Sequence, residues 1–183
     1  MCRTKSLRTI TAITAAAIIC AGCSNQAAPT VNNTNSVSES THTAETPDSP
    51  DGRENTKSID EIYQEIEQTI SLQSPQCMDD DFISNYYGID ASSLEEYVFS
   101  MSEDAAQAET IIIMKTKNTD DVGELTDSLQ SLVTEKKNEM ENYIPEQFAI
   151  VEKSKVQSKE NYVWLVISDN ADAITDIIEN GLF

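Results

Sequence analysis

An α+β domain with a mainly antiparallel four-stranded sheet and helices is what the sequence predicts for residues 58 to 183. Three observations carry it. Two pairs of apolar, β-rich runs are present, each pair joined by a short polar link. Between the pairs lies a long stripe of apolar residues at three- and four-residue steps. Shorter stripes of the same period flank them, so two strand-strand-helix units follow one another and the order is α-α-β-β-α-β-β-α.

The first helix opens on Ser58-Ile59-Asp60-Glu61, the form of a capping box, in which a Ser hydroxyl and a Glu carboxylate satisfy each other's backbone amides. Ile59, Ile62, Ile66 and Ile70, with Tyr63 beside them, share one face of a helix that runs to about Leu72, and Ser74-Pro75 stops it. Asp79 to Asp81 then precede Phe82 to Tyr87, and Gly88 follows. This is a short helix with acids at the positive end of its dipole and a glycine stop.

Leu94 to Met101 is the first strand, with Tyr97, Phe99 and Met101 on one face and Leu94, Glu96 and Val98 on the other. Thr110 to Lys117 is the second. Its run Ile111 to Met114 is apolar on both faces, which places it centrally in the sheet. Asp120 and Asp121 open the longest helix, whose stripe is Val122, Leu125, Leu129, Leu132, Val133, Met140 and Tyr143, and Pro145 closes it. After a helical turn around Glu146 to Ile150, strands are expected over about Val151 to Gln157 and over Tyr162 to Ile167, with Ser158 to Asn161 as the turn. Ser168 or Asp169 caps a last helix with Ile174, Ile177, Ile178 and Leu182 on its inner face.

Tyr86-Tyr87-Gly88-Ile89, the strand pair from Glu95 to Lys117, Tyr143 to Gln147 and Asn161-Tyr162-Val163 together resemble a domain-of-unknown-function family, number forty-three fifty-eight in that series. The resemblance covers about Ile59 to Ile178 and implies a lipoprotein of low-GC Gram-positive bacteria. It brings no known activity, so it assigns no functional residue.

The residues before the domain read as an address. Arg3, Lys5 and Arg8 precede the apolar stretch Thr9 to Ile19, which is shorter than the about 20 residues that span a bilayer and suits a signal peptide over residues 1 to 22. Ile19-Cys20-Ala21-Gly22-Cys23 resembles a lipobox, with Cys20 standing where Leu is usual. It implies cleavage before Cys23 and attachment of palmitate-type acyl chains to that cysteine, which would hold the protein on the extracellular face of the cell membrane. Residues 23 to 57 are Ser, Thr, Asn, Ala and Pro with almost no large apolar side chain, the composition of a disordered tether. On this reading Cys2 and Cys20 leave with the signal peptide and Cys23 is alkylated, so Cys77 is expected as a lone thiol.

Charge and composition exclude more than they assign. Of the 12 basic and 32 acidic side chains, 7 and 27 fall after residue 57, so the domain carries the whole net charge of -20 and repels nucleic acid. The one histidine, His42, lies in the tether, which removes Ser/His, Cys/His and histidine-zinc chemistry from the domain. No catalytic residue, metal ligand or cofactor is assigned. Three acidic clusters, Asp79 to Asp81, Asp120 with Asp121 and Glu124, and Asp169 with Asp172 and Asp176, lack EF-hand spacing and sit where helix starts attract acids. Tyr97, Tyr143, Tyr162 and Trp164 fall on apolar faces. Tyr86 and Tyr87 are the candidate ligand contacts, because adjacent helical residues cannot both point inward. The expected function is a non-enzymatic, surface-tethered interaction module whose partner is an envelope protein, peptide or glycan. The alternative is an envelope enzyme using paired carboxylates or calcium.

Overall fold

The computed structural model describes residues 56–183. The signal peptide, Cys23 and nearly all of the tether lie outside the described residues, among which no helix is long and apolar enough to cross a membrane.

The chain forms α1 (Ile59–Thr69), β1 (Pro75–Cys77), α2 (Asp80–Tyr87), β2 (Leu94–Ser102), β3 (Thr110–Thr116), α3 (Val122–Met140), α4 (Pro145–Lys153), β4 (Val156–Lys159), β5 (Tyr162–Ile167) and α5 (Ala171–Leu182). The class is α+β, but the expected four strands and the expected order are both corrected. Among the described residues the sheet has five antiparallel strands in the order β1-β2-β3-β5-β4, and there are five α-helices.

The extra strand is β1, which pairs Pro75, Gln76 and Cys77 with Ser102, Met101 and Ser100. All three of its side chains are exposed, so no hydrophobic alternation marks it. The extra helix is α4. Pro145 does not close the long helix, which ends at Met140. It instead opens the next one at the first helical position, where a missing N–H costs nothing. Val151, expected at the start of a strand, is buried in α4, and β4 is correspondingly short.

β3 lies at the centre of the sheet, with Ile111 to Met114 all buried, as expected of a strand apolar on both faces. One face of the sheet presents Phe99, Ile112, Met114, Val163, Leu165 and Ile167 to α2, α3 and α4, where Leu125, Leu129, Leu132 and Val133 fill the layer. The other face presents Val98, Ile111, Ile113, Trp164 and Val166 to α1 and α5. The result is three layers, helix on sheet on helix. A bulge at Glu95 separates Leu94, opposite Thr116, from Glu96, opposite Lys115. It turns Leu94 to the α3 side, not to the face of Val98 where strict alternation put it.

The ends of the elements follow local chemistry. Ser58 and Glu61 form the capping box, with the Glu61 carboxylate accepting from Ser58 N at 2.8 Å. Asp79 caps α2 by accepting from Phe82 N at 2.9 Å, and Gly88 closes that helix with φ +65°, a left-handed conformation that glycine adopts without strain. The last helix is entered through Asn170, not Ser168 or Asp169; Ser168 Oγ accepts from Asn170 N at 3.2 Å instead.

Candidate functional site

The sheet order leaves β4 at a free edge. α1 packs on β2 and α5 on β5. β4 lies one strand beyond β5, and a groove opens between it and α5. In β4, Gln157 stands opposite Trp164 and Lys159 opposite Tyr162, so both take the α1/α5 side of the sheet. Continuing the alternation puts Lys155 on the same side.

Two cavities occupy this groove. One, of about 580 Å³, is lined by Lys153, Lys155 and Gln157 against Asp169, Asp172 and Asp176. The other, of about 510 Å³, is lined by Lys159, Trp164, Glu179, Asn180 and Phe183. Asp172, Asp176 and Glu179 are spaced by four and three residues, so they share one side of α5. The groove therefore has an acidic helical wall on α5 and, facing it, a lysine-bearing wall made by the end of α4, the link after it and β4. Among the described residues the ion pairs within 4 Å are Lys57–Glu65 at 2.6 Å and Lys115–Glu95 at 2.9 Å, so the two walls face each other without closing. At the far end Lys159 Nζ sits 3.6 Å over the Phe183 ring, and that ring packs edge-on against Tyr162 at 5.8 Å. Trp164 is buried with its indole Nε1 lacking a hydrogen-bond acceptor.

The two tyrosines singled out from sequence as ligand contacts, Tyr86 and Tyr87, lie elsewhere. Tyr86 is 72% exposed and holds its ring 4.7 Å from that of Phe82, whereas Tyr87 turns inward and stacks on Phe99 at 5.3 Å. Burial, with Glu135 and Glu139 nearby, pushes the Tyr87 hydroxyl up to about 12. Tyr143, expected on the buried stripe of the long helix, is 85% exposed, because that helix ends three residues before it. Tyr162 is half-buried and Trp164 is buried, and both belong to the α1/α5 layer.

The acidic clusters separate into different roles. Asp79 caps α2, and Asp80 accepts from the Tyr97 hydroxyl at 2.5 Å. Burial first, then that bond and the charges of Asp80 and Asp79, raise the Tyr97 hydroxyl well above its ordinary range. Asp121 and Glu124 join Asp90 around a cavity of about 280 Å³, and Asn118 Nδ2 donates to Asp121 at 3.3 Å. Asp169, Asp172 and Asp176 form the groove wall. Among the described residues no three His, Cys, Asp or Glu side chains are placed to hold one metal ion. Cys77, expected as a lone thiol, is disulfide-bonded.

Both walls of the groove were visible as spacings, Asp172-Asp176-Glu179 at helical period and Lys155-Gln157-Lys159 at strand period. Each by itself reads as an ordinary solvated face. Only the sheet order brings them together.

A family model described as a domain of unknown function (DUF4358) matches residues 55–168, from the start of α1 through β5, and stops short of α5. No curated protein and no solved structure matches the chain.

Proposed function

The chain belongs to the DUF4358 family of domains of unknown function, and from that premise we propose that it is a non-enzymatic interaction module, lipid-anchored through Cys23 on the outer face of the cell membrane, which engages its partner through the α5/β4 groove. The observation that carries this reading is the groove itself. Its charged walls are unpaired and open to water, and such walls recognise a partner reversibly without enclosing it. Transition-state stabilisation draws its strength from dipoles fixed in a water-excluded site. Exposed carboxylates and ammonium groups are screened, and each contributes about 1 kcal/mol or less to a contact. Several such contacts along a groove give weak, salt-sensitive and specific recognition.

The sequence signals for anchoring support the same reading. A tether of the kind expected at residues 23 to 57 would carry the domain on the order of 30 Å from the lipid as a flexible coil. The domain's charge of -20 keeps it soluble beside an anionic surface.

The test is to apply the purified, fluorescently labelled full chain to cells of its source organism that lack the endogenous copy. Charge reversal of the groove with Asp172→Lys and Asp176→Lys is expected to abolish saturable surface binding, while Asp90→Lys leaves it intact. Binding that survives the groove reversal would refute the assignment.

A further inference from the structure

The groove is two-signed, and that limits what completes it. A purely cationic ligand is drawn to a domain of net charge -20 but meets Lys153 and Lys155, and a purely anionic one is repelled by the field as a whole. A second copy of the chain pairing edge to edge through β4 would bring like lysines of the two copies together on one face and would join two strongly acidic domains. A ligand bearing both an ammonium and a carboxylate satisfies both walls.

Resting on the reading above, we propose that the groove binds a short peptide as a zwitterion, with its carboxylate on Lys153 and Lys155 and its ammonium on Asp172 and Asp176. The larger cavity, about 580 Å³, falls within the range of about 300–1,000 Å³ of ligand sites and exceeds what one amino acid fills. The second cavity extends the groove along the same side of α5. A peptide also carries carbonyl acceptors. Gln157 and Thr175, which line the larger cavity, offer hydrogen-bonding groups to them. The competing account is that the lysines merely protect an edge strand from unwanted pairing and the aspartates are a solvated helix face. It predicts no preference for a dipolar ligand.

The probes are trialanine, N-acetyl-trialanine, trialanine amide and free alanine, titrated into the ¹⁵N-labelled full chain at about 0.1 M salt, where long-range attraction is screened. Trialanine is expected to shift the amides of Lys155, Gln157, Asp172 and Asp176. Each capped peptide should bind about two- to fivefold more weakly, the scale of one exposed ion pair. Asp172→Asn with Asp176→Asn should bring trialanine down to the affinity of the N-acetyl peptide and leave the N-acetyl peptide unchanged. Lys153→Gln with Lys155→Gln should do the same with respect to the amide. Tighter binding of the cationic amide than of trialanine would show plain attraction to an acidic surface and overturn the proposal. Equal binding of free alanine would overturn the peptide assignment. An unshifted groove at trialanine concentrations on the order of 10 mM, well above a millimolar dissociation constant, would also overturn it. None of these outcomes bears on whether the groove engages a macromolecular partner, which the cell-surface binding test decides separately.

Discussion

Adding one methyl group at Gly181 should destabilise the protein, although helix propensity alone favours alanine there by up to about 1 kcal/mol. Gly181 lies in the last turn of α5, where α5 crosses α1. A Cβ at this position would stand 2.5 Å from Ile62 Cγ1 and 2.8 Å from Ile62 Cδ1. Carbon contacts are comfortable at about 3.5–4.0 Å, so the intrusion is about 1 Å. Ile62 is completely buried and cannot swing aside, so α1 must move off α5 or the side chain must leave its rotamer. Overpacking of this kind costs about 1–3 kcal/mol. Set against the propensity gain, which is smaller in a final turn, the net loss for Gly181→Ala is about 1–2 kcal/mol. With an m-value near 2 kcal/mol/M in urea, that lowers the unfolding midpoint by about 0.5–1 M. The buried Trp164, the sole tryptophan, reports the transition by fluorescence. Ile62→Ala removes the clashing atoms. Its own cost, about 2–5 kcal/mol in the wild type, should be smaller by at least about 1 kcal/mol in the Gly181→Ala background. A stabilised Gly181→Ala, or additive effects of the two substitutions, would refute the close crossing of α1 and α5.

Other predictions address the remaining layers. Leu129→Ala removes a fully buried side chain from the α3 layer and should cost about 2–5 kcal/mol, with Gln130→Ala as an exposed control near zero; equal urea midpoints would refute the layer. Burial pushes the Tyr63 hydroxyl, which donates to Ser100 Oγ at 2.7 Å, up to about 12. The unfolded chain ionises near about 10, so the stability tied to the neutral hydroxyl is complete below that pH and is lost as pH rises towards about 12. Tyr63→Phe should therefore be less stable than wild type near about pH 8 yet lose less on going to about pH 11, and parallel pH profiles would contradict this. Micromolar calcium over at least about 0.1 M monovalent salt should leave the melting temperature unchanged, whereas a saturable rise abolished by Asp121→Asn with Glu124→Gln would locate a cation site at the Asp90 cavity. Mass spectrometry of the mature protein from its host should find an acylated Cys23, and Cys23→Ala should leave the membrane fraction; an unmodified start elsewhere with membrane retention would refute the anchor.

What sequence revealed of this fold was what burial imprints on side chains. The Ile111 to Met114 run marked the central strand, and the Leu125-Leu129-Leu132 stripe marked the helix that fills one layer. Ser58-Glu61 and Asp79 with Gly88 marked helix ends, because orphan backbone groups demand particular partners there. What sequence hid was what the backbone or the assembled fold imposes. β1 is held by its ladder to β2 and buries no side chain. Pro145 ends one helix or begins another with the same ring, and only tertiary packing selected the second. The bulge at Glu95 moved Leu94 to the opposite face without any glycine or proline to announce it. Tyr143 kept the period of a helix that had already stopped. The candidate site was hidden for a related reason. Its aspartates and lysines lie on different elements and each set reads as an ordinary solvated face, and their meeting depends on β4 pairing outside β5.

The central claim is that the α5/β4 groove, not the exposed aromatics, contacts the partner. A photo-crosslinking amino acid placed in turn at Gln157, Asp172, Tyr86 and Tyr143 of the chain expressed in its own host tests this most directly. The account predicts a discrete adduct, irradiation-dependent and competed by unlabelled chain, from Gln157 and Asp172, and none from the two tyrosine positions. Adducts from Tyr86 or Tyr143 with a silent groove would contradict it.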